Sequence, residues 1–284
     1  MNRRAIAAQT ITILEKGEYE TPNGANVSLA HSLAACLSAT RCYDPDSLAA
    51  LRDQVIATPS PYPETTFEVI SETTLEGCAR LVAAGRYTRV GALNFASARN
   101  AGGGFLSGAQ AQEESLARSS GLYPSLRRCP DYYAYHRHHA AALYSDRMIY
   151  SPACPVFRRD DGTLLEQPYA VDFITSPAPN AGAIRHNEPE SIPAIPAVLH
   201  ERAGKVLALA ASQNIPTLVL GAWGCGVFQN DPLMVATTFH HHLTQGGAFW
   251  GRFAHIRFSI YDRGGAMLAT FREQFAAYSK IQGD

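Results

Sequence analysis

The sequence is poor in lysine and in charge altogether. Of its 24 basic residues only Lys16, Lys205 and Lys280 are lysines, and charged residues make up 17% of the 284. The acids number 25, so the net charge is −1 and no bulk positive field is available to hold a nucleic-acid backbone. We therefore expect no direct DNA binding, and any polyanion must be recognised locally. The arginines suit phosphate, although a compositional bias shared with the many alanines explains them equally well.

Long hydrophobic runs are also missing. No stretch approaches the ~20 apolar residues of a membrane span, and Gln9, Thr10 and Thr12 interrupt the segment where a signal peptide would be apolar. The six cysteines, at positions 36, 42, 78, 129, 154 and 225, form no CxxC pair. In a chain of this length they are typical of reduced thiols. We therefore predict a cytoplasmic protein without membrane contact.

Two different patterns divide the chain. Residues 1–60 lack strand alternation and predict helices, the second of them capped by Asp44 or Asp46. The proline-rich stretch 58–64 marks a boundary. Beyond it, strand-like and helix-like segments alternate, so we predict an N-terminal helical extension followed by an α/β domain over 61–284, with both faces of the sheet covered. The predicted strands are 66–71, 89–97, 148–157, 169–177, 217–223 and 255–262.

Glycine-rich segments follow two of these strands and precede helices. Gly102, Gly103 and Gly104 follow strand 89–97, and GAWGCGVFQND (221–231) follows another. Ligands of α/β sheets collect at the carboxyl ends of strands, where glycines let backbone N–H groups approach an anion and the next helix adds its positive dipole end. Two such loops favour a ligand with a phosphate bridge and a sugar. A glycine cluster alone is more often a tight turn, and neither loop has the P-loop pattern.

Two adjacent acids, Glu113 and Glu114, follow Gln112 at the start of a predicted helix, and seven residues separate Gln112 from the triple glycine. Neighbouring helix positions are about 100° apart, so we expect the two carboxyl groups to have different roles. In isolation such acids commonly stabilise a helix N-terminus and do nothing more. Beside a predicted sugar-phosphate loop they favour acid–base chemistry.

The pattern of GGG, seven residues and QEE resembles the GGG-X(6–8)-QEE signature of poly(ADP-ribose) glycohydrolases. The surrounding segment 93–126 is similar to the compact microbial type, and GAWGCGVF is similar to the second ligand loop, where a macrodomain binds diphosphate. The resemblance spans about residues 60–280. It implies a three-layer α/β/α macrodomain with a mixed central sheet, ADP-ribose as ligand, and hydrolysis of the ribose–ribose O-glycosidic bonds of poly(ADP-ribose).

The resemblance also implies roles for individual residues. Glu114 matches the catalytic acid, which protonates the leaving ribose oxygen and then deprotonates water, and Glu113 matches the residue that holds ribose hydroxyls. Glu72 stands where macrodomains place an acid against adenine. Cys225, Gly226 and Val227 would offer backbone N–H groups to the diphosphate. The remaining substrate contacts implied are Asn100, Gly102, Gly103, Gly104, Gln112 and Phe228, the last packing on the distal ribose.

Three function classes stay open: a glycohydrolase, a non-catalytic ADP-ribose-binding macrodomain (a reader), and a metal-assisted hydrolase of another nucleotide. The acid at position 114 separates the first two, because a reader does not need it. The histidines are compatible with the metal-assisted class. However, His240, His241 and His242 are consecutive and point around a helix, and neither His138 nor His242 has a carboxylate or cysteine partner at zinc spacing. We predict no metal and no cofactor. The partners expected are ADP-ribose, poly(ADP-ribose) and poly-ADP-ribosylated proteins, with the protein itself a monomer.

Overall fold

The protein alternates helices and strands along most of its length. The computed structural model describes residues 2–278. The α-helices are α1 (Arg3–Lys16), α2 (Ala30–Ala39), α3 (Pro45–Ala57), α4 (Thr74–Ala83), α5 (Gln112–Ser119), α6 (Leu122–Leu126), α7 (Pro130–His138), α8 (Ala181–Asn187), α9 (Ile195–Ser212), α10 (Pro232–Leu243) and α11 (Ala266–Gln274). The strands are β1 (Glu18–Glu20), β2 (Asn26–Ser28), β3 (Arg41–Tyr43), β4 (Thr66–Ile70), β5 (Val90–Phe95), β6 (Met148–Arg158), β7 (Leu164–Ser176), β8 (Thr217–Leu220) and β9 (His255–Ser259). No helix within residues 2–278 combines the length and the hydropathy needed to cross a membrane.

A seven-stranded mixed sheet forms the centre of the molecule, in the order β3-β6-β7-β5-β8-β9-β4. The five strands from β7 to β4 are parallel, while β3, β6 and β7 pair antiparallel. Helices cover both faces: Val90 and Ala92 of β5 belong to one buried apolar cluster, and Leu93 belongs to the other. The predicted three-layer α/β/α fold is therefore confirmed, and the carboxyl ends of five parallel strands share one edge.

The first 60 residues contain more than the predicted helices. Asp44 caps α3 by accepting the Ser47 N–H at 2.8 Å, as expected. The absence of strands predicted for this region is wrong, because β1 and β2 form a hairpin and β3 is the edge strand of the central sheet. Each of these strands is only three residues long, too short for an alternation signal. The division at residue 60 stays a prediction.

A disulfide joins this first segment to the rest of the chain. Cys42 in β3 and Cys129 at the start of α7 are bonded, with their Cα atoms 5.8 Å apart and 87 positions between them in sequence. The prediction that all six cysteines are reduced is therefore wrong for this pair. Spacing could not reveal it, because the two residues meet only when β3 joins the sheet. The free cysteines are Cys36, Cys78, Cys154 and Cys225.

Candidate active site

The two glycine-rich loops follow neighbouring strands. β5 and β8 pair in parallel, so their carboxyl ends lie side by side at the same edge of the sheet. At the start of the second loop a Cβ on Gly221 would stand 2.8 Å from the Ser259 carbonyl oxygen and 2.9 Å from Cζ of Phe95. Only glycine fits there. The sequence correctly predicted that these loops lie together.

Gln112 fastens the start of α5 to β5. Its Oε1 accepts the Phe95 N–H at 2.8 Å, and its Nε2 donates to the Leu93 carbonyl at 2.8 Å and to Thr74 Oγ1 at 3.1 Å. Because these protein partners occupy the amide, the structure assigns Gln112 to the positioning of the two acids. The substrate contact expected of Gln112 from the sequence stays a prediction.

Glu113 is the buried member of the acidic pair, with 3% of its surface exposed. Oε2 accepts the Ser97 N–H at 2.7 Å and Oε1 accepts Asn94 Nδ2 at 3.2 Å. Burial raises the pKa of Glu113 to about 8, the neighbouring charge of Glu114 adds to the rise, and the two hydrogen bonds oppose it. The side chain is therefore largely neutral at pH 7.

Glu114 is half-buried and faces the glycine loop, where its Oε1 accepts the Gly104 N–H at 2.9 Å. Gly103 lies against both acids: a Cβ there would collide with Glu114 Oε1 and stand 3.3 Å from Glu113 Oε2. Its φ of +59° is also a conformation that favours glycine. The third residue of the pattern, Gly102, has φ +69° and faces the ring of Phe105. The triple glycine thus brings backbone directly onto the two carboxyl groups.

Arg118 holds the connection between the triple glycine and α5. It is 5% exposed, and its guanidinium donates to the Ala109 carbonyl at 2.7 Å and to Oε1 of Gln110. The Ala109 N–H in turn donates to the Gly104 carbonyl at 3.2 Å. Arg118 therefore fixes the loop whose Gly104 N–H contacts Glu114.

The helix α1 packs on the outer side of this loop. Thr10 Oγ1 donates to the Arg118 carbonyl at 2.6 Å, and Arg4 Nε donates to the Ser107 carbonyl at 2.7 Å. Ala7 shares a small buried cluster with Phe105. The N-terminal segment is thus part of the support of the candidate site.

The second loop is anchored to the neighbouring strand β7. Trp223 Nε1 donates to the Ser176 carbonyl at 3.1 Å, and Asn230 Nδ2 donates to the Pro179 carbonyl at 2.8 Å. These bonds draw the loop from the end of β8 across the end of β5, which lies between them in the sheet. The loop therefore crosses the carboxyl end of β5, the strand that leads into the triple glycine.

Some backbone N–H groups of the second loop are hydrogen-bonded within the protein, and others are not. The Cys225 N–H donates to the Ala222 carbonyl at 3.1 Å, so this group is bonded within the loop, and the diphosphate contact expected of it stays a prediction. Within residues 2–278 no acceptor takes the N–H of Gly226 or Val227, and a Cβ on Gly226 would meet nothing within 4 Å. These two remain available to an anion.

The whole chain resembles solved glycohydrolase structures. The family model for the microbial-type PARG catalytic domain matches residues 7–159. Poly(ADP-ribose) glycohydrolase from Thermomonospora curvata is 51% identical, with 96% of this chain and 99% of that chain covered and a TM-score of 0.92; its structure bound to the inhibitor ADP-HPD gives a TM-score of 0.90 over the same coverage at 51% identity. The Deinococcus radiodurans enzyme in complex with ADP-ribose is 46% identical over 86% of this chain and 97% of that chain, with a TM-score of 0.81. A search of curated proteins finds no match.

The chain belongs to the microbial-type poly(ADP-ribose) glycohydrolase family. Membership explains why the glycine loops and the acidic pair occur together. The predicted resemblance, the macrodomain-like fold and the enzyme class are therefore confirmed. The roles of individual residues rest on the geometry alone.

Glu72, whose adenine contact stays a prediction, has both carboxylate oxygens bonded within the protein. It is 2% exposed, and its Oε1 accepts Arg257 Nε at 2.6 Å and Ser259 Oγ at 2.9 Å. Its Oε2 accepts Arg257 Nη2 at 3.1 Å. Both oxygens are occupied within the protein, so the structure gives Glu72 a structural role between β4 and β9.

Three further predicted or missed residues lie at the ligand edge of this glycohydrolase. Asn100 is exposed and uses its backbone, not its side chain, in the turn to Gly103. Phe228 is half-buried, with its ring centroid 5.9 Å from that of Tyr144. Tyr261, which follows β9 and is 65% exposed, was not among the predicted site residues. An aromatic residue immediately after a strand at this edge was the available signal.

His136 and His242 are buried and bond to backbone carbonyls. His136 Nδ1 bonds to the Tyr132 carbonyl at 2.8 Å, and His242 Nε2 bonds to the His200 carbonyl at 2.9 Å. Burial lowers the pKa of both His136 and His242 to about 4. Across residues 2–278 no group of three His, Cys, Asp or Glu side chains is arranged to hold a metal.

Proposed function

We propose that this protein hydrolyses the ribose–ribose O-glycosidic bonds of poly(ADP-ribose) and releases ADP-ribose, with Glu114 as the general acid and base. The observation that carries the proposal is the meeting of two carboxyl groups at Gly103, in the glycine-rich loop at the carboxyl edge of the sheet. Family membership supports the same activity. A reader would not need this acidic pair.

The reaction requires one proton donor and one proton acceptor in sequence. The Glu114 carboxyl gives its proton to the leaving ribose oxygen, which keeps the electron pair of the broken C–O bond. The anomeric carbon gains oxocarbenium character. The Glu114 carboxylate then takes a proton from water while the water oxygen bonds to that carbon. Glycosidases usually divide these tasks between two carboxyl groups, whereas here Glu114 performs both.

In this scheme Glu113 binds a ribose hydroxyl of the substrate but does not transfer the proton. Its pKa of about 8, raised by burial, keeps it largely neutral at pH 7. A neutral carboxyl can donate to a ribose hydroxyl, and it repels neither the diphosphate nor Glu114.

The other contacts divide between the two loops. The free N–H groups of Gly226 and Val227 face the diphosphate, and Asn100 with the glycines lines the ribose. Phe228 packs on the distal ribose. The exposed ring of Tyr261 is the best-placed group to stack on adenine.

The partners and the location follow from the same proposal. The related D. radiodurans enzyme has been solved with ADP-ribose, and we extend this ligand, its polymer and poly-ADP-ribosylated proteins to the present chain. We expect the protein to be a monomer in the cytoplasm. The Cys42–Cys129 disulfide is a reason to test the location, because such bonds are rare in reducing compartments.

The decisive experiment compares wild type with Glu114→Gln on poly(ADP-ribose), with and without EDTA, and resolves the products by chromatography. The substitution keeps an oxygen for the Gly104 N–H but removes the proton transfer, so turnover should fall by ~10²–10⁴ while ADP-ribose still binds. Glu64→Gln, at an exposed acid, is the matched control and should be fully active. More than a tenth of wild-type activity in Glu114→Gln would move the catalytic role elsewhere. A wild type that binds ADP-ribose without turnover would be a reader.

A further inference from the structure

A group of exposed or half-exposed cationic side chains flanks the candidate site on the side of α7. We call it the arginine face and define it as Arg99, Arg137, Arg147 and Arg185 together with Tyr135 and His139. Arg99 precedes the triple glycine in the same loop, and Arg185 donates to Oε1 of Gln229 in the second loop at 2.9 Å. The face therefore reaches both ligand loops.

Hydrogen bonds make this face continuous with the catalytic loop. Arg137 Nη1 donates to the Arg99 carbonyl at 3.0 Å, and Arg99 Nη2 donates to the Ala140 carbonyl at 3.0 Å. These bonds place the end of α7 against the segment that leads into Asn100 and Gly102. A ligand lying in the ribose site therefore has the arginine face beside it.

Aromatic rings form the middle of the face. The Arg147 guanidinium carbon lies 4.0 Å from the Tyr135 ring centroid, and the rings of Tyr135 and His139 are stacked with centroids 3.9 Å apart and an interplanar angle of 16°. His139 is exposed. Such a stack of flat groups suits a base as well as a phosphate.

The charge of this face is not neutralised locally. None of its arginines forms an ion pair with a carboxylate in the described part of the chain, although Arg147 is close enough to Asp44 for its charge to help lower the pKa of that carboxyl. The nearby acid Asp146 is bound to Arg202 and Lys205, and Glu188 accepts the Ala142 N–H. In a protein whose net charge is −1, this concentrates positive charge beside the site.

We propose that the arginine face binds the ADP-ribose units of the polymer next to the unit held in the active site. The inference rests on the proposed function, since it requires a polymeric substrate. Each unit carries a diphosphate, so a polymer leaving the cleft presents regularly repeated negative charge. Arg99, Arg137 and Arg147 take these phosphates, and His139 takes an adenine. The active-site loops then need to bind only one unit tightly.

The test measures binding of polymer and monomer separately, in the Glu114→Gln background so that the polymer survives. The variant Arg137→Gln/Arg147→Gln should bind polymer of about 20 units roughly tenfold more weakly, while its dissociation constant for ADP-ribose stays unchanged. The slope of log affinity against log salt should become less negative by about 1.4, since each lost contact removes about 0.7 in single-stranded polyanions. Fluorescence polarisation and calorimetry supply the two constants.

The control is Arg86→Gln in the same background. Arg86 is exposed just before β5, at the opposite edge of the sheet, so it loses the same charge away from the site and should bind polymer normally. If the double variant is less stable, Arg147→Gln alone carries the test, because that side chain makes no hydrogen bond to the described residues. Equal losses for polymer and ADP-ribose, equal losses in Arg86→Gln, or unchanged polymer binding would each overturn the proposal. Absent turnover in the wild type would refute the proposed function but leave this binding measurement decisive.

Discussion

Replacing Glu113 by glutamine should change how the stability of the protein depends on pH. In the folded protein, burial raises the pKa of Glu113 from 4.5 to about 8. The folded state therefore holds this proton more tightly than the unfolded state does. Its contribution to stability is complete below pH 4.5 and is lost as the pH rises through about 8. Glutamine has no proton to lose, so the variant lacks this dependence.

The size of the effect follows from the shift. Between pH 5.5 and 7.5 the group stays protonated when folded and ionises when unfolded, so the wild type loses about 3 kcal/mol at about 1.4 kcal/mol per pH unit. In a chain of this size, 1 kcal/mol corresponds to about 2–4 °C in Tm. The difference in Tm between wild type and Glu113→Gln should therefore change by about 6–12 °C across this interval, in favour of the variant at high pH.

Urea unfolding and thermal scans of both proteins at pH 5.5, 6.5 and 7.5 supply the measurement. The double difference cancels the buried histidines His136 and His242, whose pKa values are lowered equally in both proteins. Glu15→Gln, at an exposed position of α1, should follow the wild type. Parallel pH profiles for Glu113→Gln and wild type would refute the reasoning, because they would mean that Glu113 is ionised in the folded state.

Three further predictions concern the loops and the substrate. Gly226→Val places a side chain in open space, so the fold should survive, yet calorimetry should show at least tenfold weaker ADP-ribose binding; unchanged affinity would place the diphosphate elsewhere. Arg118→Lys cannot span both the Ala109 carbonyl and Gln110, so we expect kcat to fall about tenfold with ADP-ribose affinity kept, and equal losses in both would contradict the positioning role. Mono-ADP-ribosylated protein should keep its label on a gel autoradiograph, because Glu114 must meet a ribose oxygen; label loss as fast as polymer breakdown would indicate a broader hydrolase.

The parts of the fold and of the candidate site that depend on local sequence pattern could be predicted from the sequence. Apolar strands that end in glycine are visible in the letters, so the parallel sheet and both ligand loops could be predicted. The acidic pair Glu113 and Glu114 could be recognised in the sequence by its distance from the triple glycine. Their unequal burial, which gives Glu113 its raised pKa, could not be read from adjacent letters.

The features that the sequence could not reveal share one physical origin, which is contact between distant parts of the chain. The groups on β5 that bond to Gln112 lie 17 and 19 positions away from it. Arg257, which bonds to Glu72, is 185 positions away. Likewise, Cys42 finds Cys129 only after the short strand β3 has joined the sheet. Such long-range bonds cannot be predicted from the sequence around either partner.

The packing of α1 under the catalytic loop links the enzyme's activity to its most peripheral helix. A helix that packs outside the central sheet commonly opens with a smaller free-energy cost than the core of the sheet. If α1 separates, Arg118 loses the hydrogen bond from Thr10, and Ser107 loses that from Arg4, while the seven strands remain paired. Heating should therefore abolish turnover several degrees before the sheet melts. Inactivation and denaturation would then be separate events, and the amino-terminal helix would set the working temperature of the enzyme.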